Sequence, residues 1–237
     1  MTEIVTPENR TESYRIFDKI AKTYDFLNII LSLGIDRLWR RKIIRLIGKK
    51  EVSSALDLAT GTGDMAILLG KKPNIKSVLG LDMSKGMISI GQEKVKSSKL
   101  GHKVKLEIGN GMDLPVETNT KDLVTITFGI RNFGDYQKGL REMNRVLRNQ
   151  GRCIVMEFSI PSNQIVRFFY LLYFRNILPL IGNLISRNKM AYSYLNKTVE
   201  SFPYGEDFAN EMKEAGFKKV DIYPLTFGIA SIYIAEK

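Results

Sequence analysis

The chain holds one cysteine, one histidine and one tryptophan among 237 residues. A lone thiol, Cys153, excludes an internal disulfide and any multi-cysteine zinc site. A lone imidazole, His102, excludes paired-histidine metal sites and argues against a Ser-His-Asp triad, so no metal is expected. Repeats and low-complexity tracts are absent. The opening residues, MTEIVTPENR, lack an apolar core and an Arg-rich amphipathic pattern, so a cytoplasmic chain with reduced thiols is expected. Acids are in deficit, with 25 Asp and Glu against 36 Lys and Arg, a net charge of +11. That surplus predicts a polyanionic partner, either nucleic acid or an anionic membrane surface. Hydrophobic residues make up 44% and charged residues 26%, which excludes a largely disordered chain, a collagen and a membrane bundle.

Apolar spacing divides the chain into a helical start and an alternating remainder. Phe17, Ile20, Tyr24 and Leu27, then Trp39, Ile43, Leu46 and Ile47, follow a helical period, with Gly34 as the break. Short apolar runs at 54–58, 77–81, 104–108, 123–128 and 152–158 read as strands, and 65–70, 87–95 and 136–147 as helices between them. Strands alternating with helices imply parallel βαβ units. Residues 165–186 are dense in Phe, Tyr, Leu and Ile, but Arg167, Arg175 and Pro179 argue against a membrane span and for a helical lid or an interfacial helix pair. A helix at 206–215 and two antiparallel strands, 217–223 and 228–235 with Pro224 between them, complete the pattern.

The segment Leu56-Asp57-Leu58-Ala59-Thr60-Gly61-Thr62-Gly63-Asp64 falls where the first strand meets a helix. Glycines there allow close backbone approach, and the helix start offers free N–H groups; a plain tight turn is the alternative. Gly61-x-Gly63-x-x-Ala66 also satisfies a relaxed dinucleotide fingerprint. Asp57 and Asp64 flank the loop, which disfavours a pyrophosphate and suits a sulfonium. Asp82 ends the second strand, where a carboxylate can accept both ribose hydroxyls. Asn110 and Gly111, after the third strand, border the adenine on this reading. S-adenosyl-L-methionine is therefore favoured over a nicotinamide cofactor.

Several blocks then resemble one family. Phe17-Asp18-Lys19-Ile20-Ala21 with Tyr24-Asp25 and Asn28, Ser32-x-Gly34, Arg37-x-Trp39-Arg40, and Thr127-Phe128-Gly129-Ile130-Arg131-Asn132-Phe133 are similar to the ubiquinone/menaquinone biosynthesis C-methyltransferases. Arg145-Val146-Leu147, Glu157-Phe158-Ser159, Tyr192-x-Tyr194-Leu195 with Phe202-Pro203, and Ala215-Gly216-Phe217 extend the likeness over residues 14–235. Asn149-Gln150-Gly151 departs from the family's Pro-Gly-Gly turn. The resemblance implies an α/β class I methyltransferase fold, Rossmann-like, with a seven-stranded, mostly parallel sheet. One domain spans 1–237, with an N-terminal helical cap at 1–50 and a helical insert at 163–200. It implies C-methylation of a polyprenylated quinol ring, demethylmenaquinol first, with the ubiquinone precursor 2-methoxy-6-polyprenyl-1,4-benzoquinol or both as alternatives. Thr62, Asp82, Asn110, Gly111 and Thr127 are the implied donor-binding residues, joined by Asp57, Gly61, Gly63 and Met83 of the two strand-end loops.

Methylating a ring carbon requires a phenolate, and a phenol titrates near a pKa of about 10. A fixed cation or strong donor must hold that anion. Arg131 and Asn132, after a strand end, are the candidates, although Arg131 also has Asp135 and Glu157 as possible ion-pair partners. Tyr24 and Asp25 are candidates for the opposite wall or for accepting the proton, with packing the alternative for Tyr24. His102 reads as solvated and Cys153 as core.

Residues 36–50 carry seven basic residues and one acid, and residues 165–190 carry four basic residues and none. Basic stripes beside apolar helices suit peripheral contact with an anionic bilayer, where the polyprenyl tail resides; a cap on the core or a homodimer interface is the alternative. Nucleic acid is disfavoured as the partner. Thr127-Phe128-Gly129-Ile130 stands where base-amine methyltransferases carry an Asn/Asp-Pro-Pro-Tyr/Phe turn.

Overall fold

In the computed structural model the described residues are 10, 12–32, 34–177 and 189–237. The expected element at 165–186 therefore extends beyond the described residues, as do Pro179 and Arg187. Two N-terminal helices, α1 (Ser13–Ser32) and α2 (Ile35–Ile47), meet at Gly34. Strands and helices then alternate as β1 (Val52–Leu58), α3 (Asp64–Gly70), β2 (Ile75–Asp82), α4 (Lys85–Ser97), β3 (Val104–Ile108), β4 (Lys121–Thr127), α5 (Tyr136–Val146) and β5 (Leu147–Phe158). The helices α6 (Gln164–Leu172), α7 (Lys189–Ser201) and α8 (Glu206–Glu214) precede β6 (Lys219–Leu225) and β7 (Ala230–Glu236).

The seven strands form one sheet in the order β3-β2-β1-β4-β5-β7-β6. The first five are parallel, and β7 is antiparallel to β5 and β6. Strand side chains alternate between faces. On β5, Ile154 and Met156 join the core under α2, α3 and α4, whereas Cys153 and Val155 join the core under α5 and α8. Both faces of the central strands are thus covered, which explains their continuous apolar runs. Pro224 lies inside β6, opposite Ser231, and not between the last two strands as expected. An edge strand tolerates a residue without an N–H.

The chain reverses strand order between β1 and β4. Open α/β sheets bind ligands at such a point, outside the carboxyl ends of the strands. Ala59 after β1 and Phe128 after β4 have φ of 46° and 58°. Non-glycine residues hold that left-handed conformation only where surrounding contacts enforce it. Among the described residues, no helix is long and apolar enough to cross a membrane.

Candidate functional site

Two cavities open above the strand ends. The first is bordered by the glycine loop (Ala59, Gly61), by Asp82 and Met83 after β2, by Gly109, Gly111 and Met112 after β3, and by Thr127, Gly129, Asn132 and Phe133 after β4. Gly61 has φ of 55°, and a Cβ there would meet only the Tyr24 ring, at 3.9 Å. The loop backbone therefore faces the cavity bare. At Gly111 a Cβ would come within 2.3 Å of Phe133, so only glycine lets the ring close over this strand end.

The Asp82 carboxylate accepts hydrogen bonds from the backbone N–H of Gly61 at 2.8 Å and of Ser84 at 2.9 Å. Burial pushes its pKa up, against the pull of those N–H groups. It stands where a ribose carboxylate is needed. The Asn132 Oδ1 is buried without a hydrogen-bond partner among the described residues. An orphaned acceptor in the wall calls for a donor from a ligand. A bare glycine loop, a strand-end carboxylate and this orphan fit a nucleoside-bearing methyl donor.

Other expected donor-binding residues stand behind the cavity. Asp57 is buried, and its two oxygens accept the hydroxyls of Thr60 and Thr125, each at 2.6 Å. Burial raises its pKa to about 6, against those two hydroxyls. Asp64 is paired with Lys94, and Gly63 caps the start of α3. The carboxylates expected to attract a sulfonium are thus a loop buttress and half of an ion pair, and Asp82 alone carries that argument. The Thr62 hydroxyl donates to Asp25 at 2.6 Å, and Lys94 Nζ reaches Asp25 at 2.9 Å. Asp25 therefore faces neither cavity and is not placed to accept a substrate proton. Asn110 shapes its turn, its Oδ1 accepting the Met112 N–H at 3.0 Å.

Asp18, seven residues before Asp25 on α1, accepts hydrogen bonds from the Ser84 hydroxyl and the Gly86 N–H at the start of α4. The two acids fasten α1 to both donor-side loops, and each directly follows an aromatic residue. Phe17 and Tyr24 pack edge to face at 6.1 Å and, with Phe128, line both cavities.

The second cavity encloses about 560 Å³ and is overwhelmingly apolar. Trp39 from α2, Phe128, Phe158, Ile165 and Phe169 from α6, and Ile229 contribute to its wall. Phe128 stacks on Phe158 at 4.3 Å. Two cations stand in this wall. Arg131 is 5% exposed and pairs with the buried Glu157 at 2.7 Å, while its Nη1 also donates to the Phe128 carbonyl at 2.6 Å. Arg40 is 7% exposed and pairs with Asp36 one helical turn earlier. Within the basic segment 36–50, Arg40 is turned to the interior while Arg37, Arg41 and Arg45, four residues apart, are exposed. Sequence reasoning missed Arg40 as a site residue. The available signal was an acid and an arginine four apart, framing Trp39. Burial raises the pKa of the Tyr24 phenol, which bonds Asn28, against the pull of Arg40 and Arg131. Tyr24 is therefore protonated near neutral pH and serves as a hydrogen-bonding group. His102 is exposed in its loop, and Cys153 is buried in β5, which pushes its thiol pKa up.

The ubiE/COQ5 methyltransferase family model matches residues 5–237. The demethylmenaquinone methyltransferase of Bacteroides fragilis is 41% identical over 223 residues, covering 94% of this chain and 91% of that protein. The ubiquinone/menaquinone biosynthesis C-methyltransferase UbiE of Geobacter sulfurreducens is 42% identical over 223 residues, covering 94% and 87%. Among solved structures, a possible histamine N-methyltransferase of Thermotoga maritima superposes with a TM-score of 0.66 at 17% identity, covering 94% of this chain and 99% of that one. An S-adenosyl-L-methionine-dependent methyltransferase of Methanococcus maripaludis gives 0.64 at 22% identity, covering 93% and 94%. Those two show the fold, which is that of the class I methyltransferases using S-adenosyl-L-methionine. From its sequence match along nearly its whole length, the chain belongs to the ubiE/COQ5 methyltransferase family.

Proposed function

We propose that this protein, as one methyltransferase domain, methylates a ring carbon of a polyprenylated quinol, with demethylmenaquinol as the acceptor. The observation that carries the reading is the large apolar cavity abutting the donor cavity across the shared wall of Phe17, Tyr24 and Phe128. A flat aromatic ring against that wall comes within reach of the donor side, and an isoprenoid chain fits the apolar remainder.

S-adenosyl-L-methionine supplies a methyl group already activated on a sulfonium. Gly61, Asp82, Met83, Gly111, Thr127 and Asn132 hold it on this reading. The apolar wall excludes water and strengthens each electrostatic contact inside. Arg131, fixed by Glu157 and by the Phe128 carbonyl, favours the quinolate over the quinol. The phenolic proton leaves to solvent; the ring carbon takes the methyl as the methyl–sulfur bond breaks, leaving S-adenosyl-L-homocysteine; and the proton on that carbon moves by way of solvent to the ring oxygen, restoring the aromatic quinol.

The tail calls for a lipid surface. Ile165 and Phe169 line the cavity and are also 70% and 62% exposed, so they mark its mouth. Phe168 beside them is 64% exposed, and Leu38 and Phe227 add 59% and 80%. Trp39 Nε1 donates to Thr226 at 2.9 Å, tying Phe227's turn to α2. The neighbouring Arg37 and Arg41 suit anionic headgroups. Exposed apolar residues in such a group mark a docking face.

Labelled S-adenosyl-L-methionine is incubated with reduced demethylmenaquinone and with the reduced ubiquinone precursor. Methyl transfer to the naphthoquinol ring is expected, and transfer to neither ring ends this reading. Sedimentation with anionic vesicles at low salt, abolished by Phe168→Ser with Phe227→Ser, tests the docking face. Equal sedimentation of both proteins refutes it.

A further inference from the structure

The reading above assigns one cation to the reacting ring, yet the apolar cavity holds two. Arg40 and Arg131 each line it, each is at least nine-tenths buried, and each has a buried Nε–H with no hydrogen-bond partner among the described residues. Each is charge-matched by one carboxylate, Asp36 or Glu157. Each guanidinium lies over one ring of the same aromatic stack, with Arg40 Cζ 5.8 Å from the Phe128 centroid and Arg131 Cζ 5.3 Å from that of Phe158.

Folding does not explain this arrangement. A buried ion pair in an apolar wall gains little over well-packed hydrophobic residues, and an orphaned N–H adds a further penalty. Arg40 comes from α2 in the cap, whereas Arg131 follows β4, so two unrelated segments deliver the same unsatisfied donor to one chamber. A hydroquinone presents one oxygen on each of two opposite edges.

Resting on the proposed quinol substrate, we propose that Arg40, positioned by Asp36, is a second catalytic residue that receives one ring oxygen while Arg131 receives the other. Arg40 then orients the ring and shares in stabilising the quinolate. The cavity contains its own phenol as a gauge. The positive charges of both Arg40 and Arg131 bear on the Tyr24 hydroxyl and oppose the effect of its burial. A bound quinol phenol between the same guanidiniums is subject to the same pull.

The groups facing this ring are Tyr24 of α1, Asp36 of α2, Arg131 with Glu157 of β5, Tyr170 of α6, Tyr173 just after it, and Tyr194 of α7. Burial raises the pKa of all four tyrosines, which stay protonated near neutral pH. Burial also raises that of Glu157, against the pull of Arg131. Ionisation of the quinol then sets the rise of kcat with pH.

The test compares kcat against pH, and donor affinity, for the whole protein and two variants, with a short-chain reduced demethylmenaquinone. Asp36→Leu with Arg40→Met removes the pair without stranding a charge. It is expected to lower kcat at least about tenfold and to move the rising limb up by about one pH unit, with donor affinity unchanged. Arg40→Lys keeps the charge and should return the limb toward the wild-type position, while raising the quinol KM through loss of the Nε–H. A paired variant with an unshifted limb overturns the role of Arg40, as does a lysine variant whose limb matches that of the paired variant. If the paired variant does not fold, the lysine variant alone decides: wild-type KM and kcat overturn the proposal. Absence of turnover in the wild-type protein overturns instead the quinol reading on which it rests.

Discussion

The Asp25 carboxylate accepts the Thr62 hydroxyl at 2.6 Å, fastening the cap helix to the glycine loop. With Asp18 bonded to Ser84 and Gly86, the cap has two anchors seven residues apart on one face of α1. The rings of Phe17 and Tyr24 are held over both cavities by these anchors.

Breaking one anchor should loosen both cavities. Asp25→Ala is expected to cost about 1 kcal/mol of stability, because the bond is half-exposed and Lys94 retains Asp64. It should also weaken donor binding several-fold. Thermal unfolding with and without donor, together with titration calorimetry, measures both; unchanged donor affinity would show that the anchor does not reach the site.

Asp82→Asn keeps the shape of the strand end and removes its charge. A hydrogen bond to a charged group is worth roughly 1.5–3 kcal/mol, so donor affinity should fall at least about tenfold. The KM for quinol should not change. Calorimetry with S-adenosyl-L-methionine reads the first quantity and steady-state kinetics the second. An equal loss in both would place Asp82 outside the donor site.

The Arg131–Glu157 pair is buried, its side chains 6% and 1% exposed. Glu157→Leu strands a buried guanidinium and should destabilise the fold by about 3–5 kcal/mol. Adding Arg131→Met should restore most of that stability but not methyl transfer. Urea unfolding and turnover of the single and double variants separate the two roles.

Asp57 gives the fold a pH signature. Its pKa is raised from 3.8 to about 6 by burial, so the neutral carboxyl is the form the folded protein prefers. That contribution is complete below pH 3.8 and is lost as pH climbs through about 6. At neutral pH the charged form weakens the fold by an amount on the order of 3 kcal/mol. Asp57→Asn should therefore stabilise the protein above pH 6, with the gain shrinking as pH falls toward 4. Unfolding midpoints of both proteins across that range test the sign.

Much of the architecture was legible because parallel strands buried on both faces leave apolar runs such as Cys153–Met156. The strand order was not written in any local pattern; the alternation gave parallel βαβ units, and the resemblance supplied the seven-stranded class I fold. At the site, Asp82, Met83, Gly61, Gly111, Thr127, Asn132, Arg131 and Tyr24 all stand in a cavity wall. Asp57, Thr62, Asp64 and Asp25 looked like ligand groups because spacing locates a residue along the chain and not the direction of its side chain. Each bonds to a partner elsewhere in the sequence: Thr125, Asp25 or Lys94. Arg40 was passed over as a site residue for the opposite reason. A basic run looks solvated until tertiary packing turns one member inward beside Trp39.

The wall of Phe17, Tyr24 and Phe128 belongs to both cavities, so the two chambers meet at one partition. On the proposed reading, the methyl donor enters at the strand ends and the quinol between Ile165 and Phe169, which line the apolar cavity and are exposed. On that reading each reactant and its product use their own opening, and neither has to cross the other's. Three aromatic side chains are shared by the two linings, and on the proposed reading a single methyl carbon is all that passes between the chambers.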